Sequence, residues 1–220
     1  MRSVKQPRAA NKPAMHVIPD SPISAETLLD AEHHLSQSCA VMAQLVATHG
    51  RCEIIERNLS SFQTLASSII GQQLSAKAAD TIKRRVSDIV PGFTPRGFLT
   101  TSSDALRGAG LSTAKTRCIK ELAERISDGR LDLDAMAHQS DDEAIEALTN
   151  VPGIGRWTAE MFLIFGLKRP NVLALSDAGL RRAARLLYGQ DATLEVVGKL
   201  WQPYCSVASW YLWRHLDATP

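Results

Sequence analysis

Apolar residues recur at three- and four-residue steps along most of this chain, whereas stretches that alternate strictly between apolar and polar residues are short. Phe62, Leu65, Ala66, Ile69 and Ile70 show this spacing, which places them on one face of a helix. A helix with one apolar face is stabilised mainly by packing that face against other elements. We therefore predict an all-α protein whose helices share a core.

Turn signals and capping residues divide the periodic segments into separate helices. Ser75 is the predicted N-cap of a helix that runs through residue 86, and Ser140 with Glu143 forms a predicted capping box. The segment 91–95, which contains proline and glycine, is expected to break the chain. The other predicted helices span residues 28–49, 101–107, 113–128, 141–149, 155–165, 177–187 and 194–217.

Length and composition are those of an ordinary globular protein. The chain has 220 residues, 45% hydrophobic and 22% charged, which suffice for one sizeable core or two small lobes. Residues 1–20 form a predicted flexible basic tail without the apolar core of a secretory signal, so the folded domain is predicted to span 21–220. The tail is either a solvated terminus or a DNA-contacting arm. No apolar run is long enough to cross a bilayer, and we expect a cytoplasmic protein.

The net charge and the cysteine positions reduce the number of functions that this chain can have. A net charge of +2 is low for an electrostatic DNA clamp, so a nucleic-acid partner has to be argued from local motifs. The cysteines are scattered and include no C-x-x-C pair, which argues against a zinc site or an iron–sulfur cluster. We expect them to be free thiols. They are Cys39, Cys52, Cys118 and Cys205.

A tight turn, Val151-Pro152-Gly153-Ile154-Gly155, separates two predicted helices. Gly153 and Gly155 permit backbone angles that other residues resist, and they present no side chain to an approaching group. The helix after the turn therefore begins with exposed N–H groups, which form an anion site, and on DNA the anion is a backbone phosphate. Thr158 can add a hydroxyl contact. A helix–helix turn without a ligand is the alternative.

Asp177 follows the second of these helices after a short apolar stretch and stands where the next predicted helix begins. Taken alone, it is most simply an N-cap. Its distance from the turn resembles the arrangement of the helix-hairpin-helix DNA glycosylase superfamily, and the resemblance covers residues 62–213. The segments 69–75 and 201–213 resemble the 3-methyladenine DNA glycosylase II branch. The resemblance implies a two-lobed helical bundle, interleaved lobes, a DNA and base pocket in the cleft between them, and a catalytic Asp177.

The resemblance also implies the reaction, which is excision of alkylated bases such as 3-methyladenine and 7-methylguanine in base excision repair. An ionised Asp177 can stabilise the positive charge that builds on the sugar and orient an attacking water. An alkylated purine is already cationic and needs no strong general acid. Relatives that also cleave the strand carry a lysine where this chain has Trp157, so no Schiff base forms by the usual route. The predicted enzyme is monofunctional and leaves an abasic site.

The resemblance places Trp157, Met161, Gly179 and Trp213 around the base pocket. The two tryptophans would offer aromatic faces to an electron-poor base, with core packing as the alternative. Met161 and Gly179 replace a tyrosine and a bulky residue of the branch, and Cys205 replaces a common arginine. We therefore expect a wider pocket that admits bulkier lesions, including etheno adducts, or alkylated pyrimidines.

Further DNA contacts are expected from Gln72, Gln73 and Leu74, where the family inserts a side chain into the space that a flipped base leaves. Gln73 is the first candidate for this wedge and Leu74 the second, with capping of the helix end as the alternative. Lys115 follows a second glycine-containing turn and can meet a phosphate, although a solvated lysine is the default expectation. Three arginines after Asp177 either face DNA or form surface ion pairs. They are Arg181, Arg182 and Arg185.

In the family the hairpin also holds a monovalent cation through backbone carbonyls. The matching positions are Thr149, Val151 and Ile154, so the resemblance implies a structural Na⁺ or K⁺ there. It implies no organic or redox cofactor. The expected partner is double-stranded DNA that contains damaged bases, and the expected state is a monomer associated with a bacterial nucleoid. The alternative function is that of a non-catalytic helix-hairpin-helix DNA-binding protein.

Overall fold

The computed structural model describes residues 22–56 and 58–218, and every regular element in this part of the chain is helical. The predicted all-α class is thus confirmed, while the predicted tail lies outside the described residues. The helices are α1 (Ala25–Ser38), α2 (Ala40–His49), α3 (Ser61–Gly71), α4 (Ala76–Ile89), α5 (Pro95–Thr100), α6 (Ser103–Gly108), α7 (Thr113–Ser127), α8 (Asp141–Thr149), α9 (Arg156–Phe165), α10 (Ala178–Tyr188), α11 (Leu194–Val197) and α12 (Cys205–Ala218).

Side-chain caps explain where several helices begin. The Ser75 hydroxyl accepts a backbone N–H at the start of α4, which confirms the predicted N-cap. Ser140 and Glu143 form the predicted capping box of α8, each accepting the backbone N–H of the other. Ser60 and Gln63 form a second box at α3. Such caps satisfy N–H groups that the first helical turn leaves without a partner.

Two long predicted helices are interrupted. The single helix predicted for 28–49 is wrong, because Cys39 takes an extended conformation (φ −166°, ψ 159°) that separates α1 from α2. The single helix predicted for 194–217 is also wrong. It consists of the four-residue α11, a 3₁₀ turn and, from Cys205 onwards, α12. Pro203 lies in the interruption, where a residue without a backbone N–H cannot continue a helical ladder.

The segment around Pro95 is helical where the sequence predicted a break. Residues 91–95 were expected to end helical structure, but Pro95 is the first residue of α5. The missing N–H of proline costs nothing at that position, since the first helical N–H groups have no partner within the helix. The Thr94 hydroxyl caps the helix by accepting the N–H of Gly97.

The helices pack as two lobes. In one, α12 packs against α1, α2 and α10; in the other, α3 packs against α4, α7 and α9. The chain passes from the first lobe to the second between α2 and α3, and it returns between α9 and α10. The loop between α9 and α10 therefore lies where the lobes meet, and it leads into Asp177. No helix in the described part of the chain is long and apolar enough to cross a membrane.

Candidate active site and DNA interface

A cleft of about 590 Å³ lies between the lobes. Side chains of α3, α4, α9, α10 and α12 line it. The lining residues used below are Thr64, Ser67, Ser68, Gly71, Leu74, Lys83, Trp157, Met161, Phe165, Asp177, Gly179, Arg182 and Trp213.

Asp177 presents a buried carboxylate to this cleft. It is 7% exposed and caps α10, with Oδ1 accepting the backbone N–H of Leu180 at 2.7 Å. Oδ1 also accepts the indole N–H of Trp213 at 3.1 Å, and Oδ2 accepts the indole N–H of Trp157 at 2.7 Å. Burial of a carboxylate is costly unless hydrogen bonds replace its hydration. Three N–H donors supply that replacement and fix both oxygens in position.

The N-cap and the catalytic interpretations of Asp177 are therefore compatible. One oxygen can satisfy the helix start while the carboxylate as a whole lies at the wall of the cleft. The negative charge of an ionised carboxylate that is held in a fixed position stabilises a positive charge that develops nearby. The cleft can thus favour a reaction whose transition state carries positive charge, like that of a carbocation.

The aromatic residues predicted for the base pocket come together in the cleft. Trp157, Met161 and Phe165 follow each other at four-residue steps along α9, so one face of the helix carries all three. The ring of Phe165 lies 5.6 Å from that of Trp213, centroid to centroid. The sequence analysis predicted the two tryptophans as pocket walls, but it missed that their N–H groups both donate to Asp177.

The missing side chain at Gly179 makes room for Trp213. A Cβ built on Gly179 would lie 3.1 Å from Oδ1 of Asp177 and 3.4–3.5 Å from the indole of Trp213. The indole therefore occupies space that a larger residue would take, rather than leaving a wider pocket. The prediction that Cys205 helps to widen the pocket is wrong. Its side chain is 2% exposed and points to the carbonyl of Gly198 in the core.

The hairpin between α8 and α9 has the backbone that its glycines predict. Gly153 has a φ of +96°, which L side chains rarely adopt, and a Cβ there would lie 2.9 Å from both Cβ and Sγ of Cys118. Gly155 is the N-cap of α9, has no side chain to cap the helix, and leaves open space around its Cα. The N-terminal N–H groups of α9 are therefore accessible to an anion.

Two predicted DNA contacts are instead intramolecular. Thr158 is 1% exposed, and its hydroxyl accepts the side-chain amide of Gln72 at 2.9 Å, so the predicted phosphate contact of Thr158 is wrong. The same amide of Gln72 reaches the carbonyl of Gly153 at 3.3 Å. Gln72 thus ties the end of α3 to the hairpin, which explains why its side chain is not extended towards DNA.

Lys115 also bonds within the protein, in place of its predicted phosphate contact. Its ammonium donates to the carbonyls of Ile70 and Gln72 at 2.8 and 2.7 Å. Burial lowers the pKa of this ammonium. The bonds hold the loop that follows α3, where Gln73 is exposed with a φ of +57° and Leu74 is 39% exposed. This loop projects Gln73 and Leu74 outward from a fixed base.

The backbone carbonyls predicted to hold a cation have lone pairs that no hydrogen bond uses. Those of Thr149 and Ile154 accept no hydrogen bond from the described residues, and that of Val151 accepts one, from the N–H of Ile154. A carbonyl oxygen has two lone pairs, so each of the three can still bind a hard cation. The residues present fit a Na⁺ or K⁺ ion.

The family model for HhH-GPD superfamily base excision DNA repair proteins matches residues 66–204, which include the hairpin and Asp177. The chain belongs to this superfamily. DNA-3-methyladenine glycosylase 1 of Schizosaccharomyces pombe is 32% identical over 200 residues, with 86% of this chain and 87% of that protein covered.

Solved structures of the HhH-GPD superfamily show the same arrangement of the chain. A 3-methyladenine DNA glycosylase of Schizosaccharomyces pombe, in complex with abasic DNA, superposes with a TM-score of 0.78 and 30% identity, covering 86% of this chain and 98% of that one. A DNA-3-methyladenine glycosidase of Bacillus halodurans superposes with a TM-score of 0.62 and 39% identity, covering 82% and 90%. The match to the DNA-bound structure includes both lobes and hence the cleft between them.

Glu160, on α9, lies inside the protein. Glu160 is 4% exposed and accepts the Nε–H of Arg156 at 2.9 Å, while its Oε2 has no hydrogen-bond partner among the described residues. Burial raises the pKa of this carboxyl, with a smaller contribution from the charge of Asp177 and opposition from Arg156. Glu160 holds the otherwise exposed Arg156 beside the hairpin.

The polar wall of the cleft was missed. Thr64, Ser67, Ser68 and Gly71 recur at three- and four-residue steps on α3, and they line the same cleft as the aromatic face of α9. Their spacing was a usable signal, because small and polar residues on one helical face suggest space or solvent rather than core. Lys83, on α4, also borders the cleft and pairs with Asp80.

Proposed function

We propose that this protein is a monofunctional DNA glycosylase that excises alkylated bases from double-stranded DNA and leaves an abasic site for base excision repair. One observation carries the proposal: the buried carboxylate of Asp177 is held by two indole N–H groups at the wall of a cleft that aromatic side chains line. A protein that only binds DNA has no need for a buried charge in such a cleft. The related 3-methyladenine DNA glycosylases of Schizosaccharomyces pombe support the same substrate class.

The chemistry follows from the cleft. A flipped nucleotide enters it, and the damaged base contacts the aromatic wall formed by Trp157, Phe165 and Trp213. As the N-glycosidic bond breaks, the bonding electrons leave with the base and neutralise its positive charge. Positive charge then builds on the sugar, where Asp177 stabilises it. Water adds to the anomeric carbon and gives up a proton, which completes hydrolysis.

DNA binding is assigned to the hairpin and to the loop after α3. The accessible N–H groups at the start of α9 bind a backbone phosphate. Gln73 is the proposed wedge, since it is exposed and its loop is held by Lys115 and Gln72. Leu74 borders the cleft and is the second candidate. The carbonyls of the hairpin would hold a Na⁺ or K⁺ ion, which adds positive charge beside the phosphate.

We propose that the enzyme does not cleave the DNA strand, and the argument depends on Trp157. It stands where strand-cleaving relatives carry a lysine, and its indole donates to Asp177. Lys83 is an amine at the cleft, but it pairs with Asp80 at 3.1 Å. An amine held in an ion pair is a poor nucleophile. We further expect a monomer that works in the cytoplasm, at the nucleoid of a bacterial host, without an organic or redox cofactor.

The test is to incubate the protein with methylated duplex DNA, identify the released bases, and add borohydride to a parallel reaction. Release of 3-methyladenine or 7-methylguanine, with the strand intact and no protein–DNA adduct trapped, supports the proposal. A trapped adduct that Lys83→Ala abolishes would refute monofunctionality. Tight binding to DNA without release of any base from a panel that includes etheno adducts and alkylated pyrimidines would favour the non-catalytic DNA-binding alternative.

A further inference from the structure

Three arginines line a groove on the outer surface of α10. Arg181, Arg182 and Arg185 are exposed and border a groove of about 390 Å³ together with Gln190. The guanidinium group of none of the three forms an ion pair or hydrogen bond with another described residue. Arg181 and Arg185 are one helical turn apart, so their side chains leave the same face of the helix.

The sequence of α10 itself keeps these charges unpaired. Residues 178–188 contain three arginines and no aspartate or glutamate. Asp177 stands four residues before Arg181, but its carboxylate accepts from Leu180, Trp157 and Trp213 instead. Glu195 borders Arg181 and Arg185 from α11 but forms no salt bridge with either. Like charges one turn apart repel each other and destabilise the helix. The arrangement becomes favourable when an anion with several oxygens lies in the groove.

The groove adjoins the catalytic cleft at one shared side chain, that of Arg182. Arg182 lines both, whereas Arg181 and Arg185 extend the positive surface away from the cleft along α10. A nucleic-acid strand that leaves the cleft on this side would pass directly over the arginines. Guanidinium groups bind phosphates through two parallel N–H bonds, which suits a regularly spaced phosphate backbone.

From the shared Arg182 and the unpaired positive charge we infer that the groove on α10 binds the phosphate backbone of the DNA strand whose nucleotide occupies the cleft. The inference rests on the proposed function, because it takes a flipped nucleotide as the occupant of the cleft. It adds a second backbone contact to that of the hairpin, on a different helix. An acidic protein segment would satisfy the charges as well, but nothing would then require the groove to join the cleft.

The test measures how duplex binding depends on salt. Dissociation constants for a duplex with one abasic site are determined between about 50 and 200 mM salt for the wild type and for Arg181→Gln, Arg182→Gln, Arg185→Gln and the triple variant. Each lost phosphate contact should lower the slope of log Kd against log salt by about 0.9. For the triple variant, the slope of log Kd against log salt should therefore be lower than that of the wild type by about 2–3. This variant should also bind more weakly at every salt concentration.

Two controls make the result specific. Arg51→Gln removes an exposed arginine that borders neither groove nor cleft, and its slope should equal that of the wild type. Triple replacement by lysine should keep the slope, since the charge remains, but weaken binding through loss of the paired N–H bonds.

A triple glutamine variant with the wild-type slope would overturn the inference, whether or not an acidic peptide binds the groove. Excision of alkylated bases by the wild type, measured alongside, separates this failure from failure of the proposed function. Excision with an unchanged slope overturns the groove alone, and failure of the wild type to bind duplex DNA overturns both.

Discussion

The indole N–H of Trp157 donates to Oδ2 of Asp177 at 2.7 Å, across the loop that joins the two lobes. With the matching bond from Trp213 to Oδ1, it gives each carboxylate oxygen its own indole donor. The tryptophans therefore have two functions, as aromatic walls of the cleft and as hydrogen-bond donors that orient the charge. This double role accounts for tryptophan rather than phenylalanine at both positions.

Replacement of Trp157 by phenylalanine separates the two functions, because the aromatic face stays while the N–H is lost. A hydrogen bond to a charged group is worth about 1.5–3 kcal/mol. We expect the single-turnover excision rate to fall about 10–100-fold, since the carboxylate loses its fixed orientation. Rapid-quench measurement at saturating enzyme gives this rate.

Trp201→Phe is the matched control for that experiment. It removes an indole N–H that donates to the hydroxyl of Tyr188 at 3.0 Å, remote from Asp177. It should lower the melting temperature and leave the excision rate within about twofold, as expected for effects on stability alone. Equal loss of rate in both variants would show that general destabilisation, and not orientation of Asp177, explains the effect.

Gly179→Ala should reduce excision by crowding the carboxylate of Asp177. The new Cβ would lie 3.1 Å from Oδ1 of Asp177, so this oxygen must shift against its donors, whereas the indole of Trp213, at 3.4 Å, stays in ordinary van der Waals contact. We expect a rate loss of about tenfold, the cost of weakening one bond to the carboxylate. Gly108→Ala, where a Cβ meets nothing within 4 Å, is the control. Faster excision of bulky lesions by Gly179→Ala would contradict this account of the pocket.

The two hairpin glycines should respond differently to alanine. Gly153→Ala forces a side chain onto a φ of +96° and against Cys118, so it should destabilise the protein by about 1–3 kcal/mol and weaken DNA binding. Gly155→Ala meets neither obstacle and should keep the melting temperature, but its methyl group would face the bound phosphate and raise Kd. Urea unfolding and duplex titration on both variants check this. Full DNA affinity in Gly155→Ala would argue against phosphate binding here.

The stability of the protein should depend on pH through Glu160. Burial raises the pKa of its carboxyl above the ordinary value of 4.5, so the folded chain binds the proton more tightly than the unfolded chain does. The resulting stabilisation is complete below the unfolded pKa and is lost as pH rises through the folded pKa. We therefore expect the wild type to lose stability relative to Glu160→Gln as pH rises above the ordinary carboxyl pKa of 4.5, measured by urea unfolding.

Glu143 provides a control of opposite sign. Its pKa is lowered, first by the backbone N–H of Ser140 and then by the hydroxyl of the same residue. Its stabilisation is therefore present above the unfolded pKa and lost as pH falls through the folded pKa. Compared with Glu143→Gln, the wild type should gain stability as pH rises. The same direction of change for both glutamates would contradict the assigned cause.

Features set by neighbouring residues could be predicted from the sequence. The caps at Ser75 and Ser140, the hairpin at 151–155 and the position of Asp177 at a helix start all depend on residues within one or two turns of each other. The break at Cys39 had no such signal, because the apolar periodicity continues through it and neither glycine nor proline marks it.

Contacts between distant segments could not be predicted. Gln72 and Lys115 have the composition of surface residues, and only the approach of α3 to α7 and α9 gives their side chains partners at Thr158 and Ile70. Likewise, the spacing from Trp157 to Asp177 indicates a shared site, whereas the direction of the indole N–H depends on how the lobes pack. Pocket walls were thus found from the pattern, and the hydrogen bonds between them were not.

The most direct test of the central claim is the excision rate of Asp177→Asn on methylated duplex DNA, measured with the Kd for the same duplex. Asparagine keeps the size of the side chain and an acceptor for Leu180 but removes the charge. We predict that release of 3-methyladenine and 7-methylguanine falls by about 10²–10³-fold or more, while Kd changes little. Asp191→Asn, at an exposed position outside the cleft, should excise normally. Excision by Asp177→Asn at the wild-type rate would contradict a catalytic role for this carboxylate.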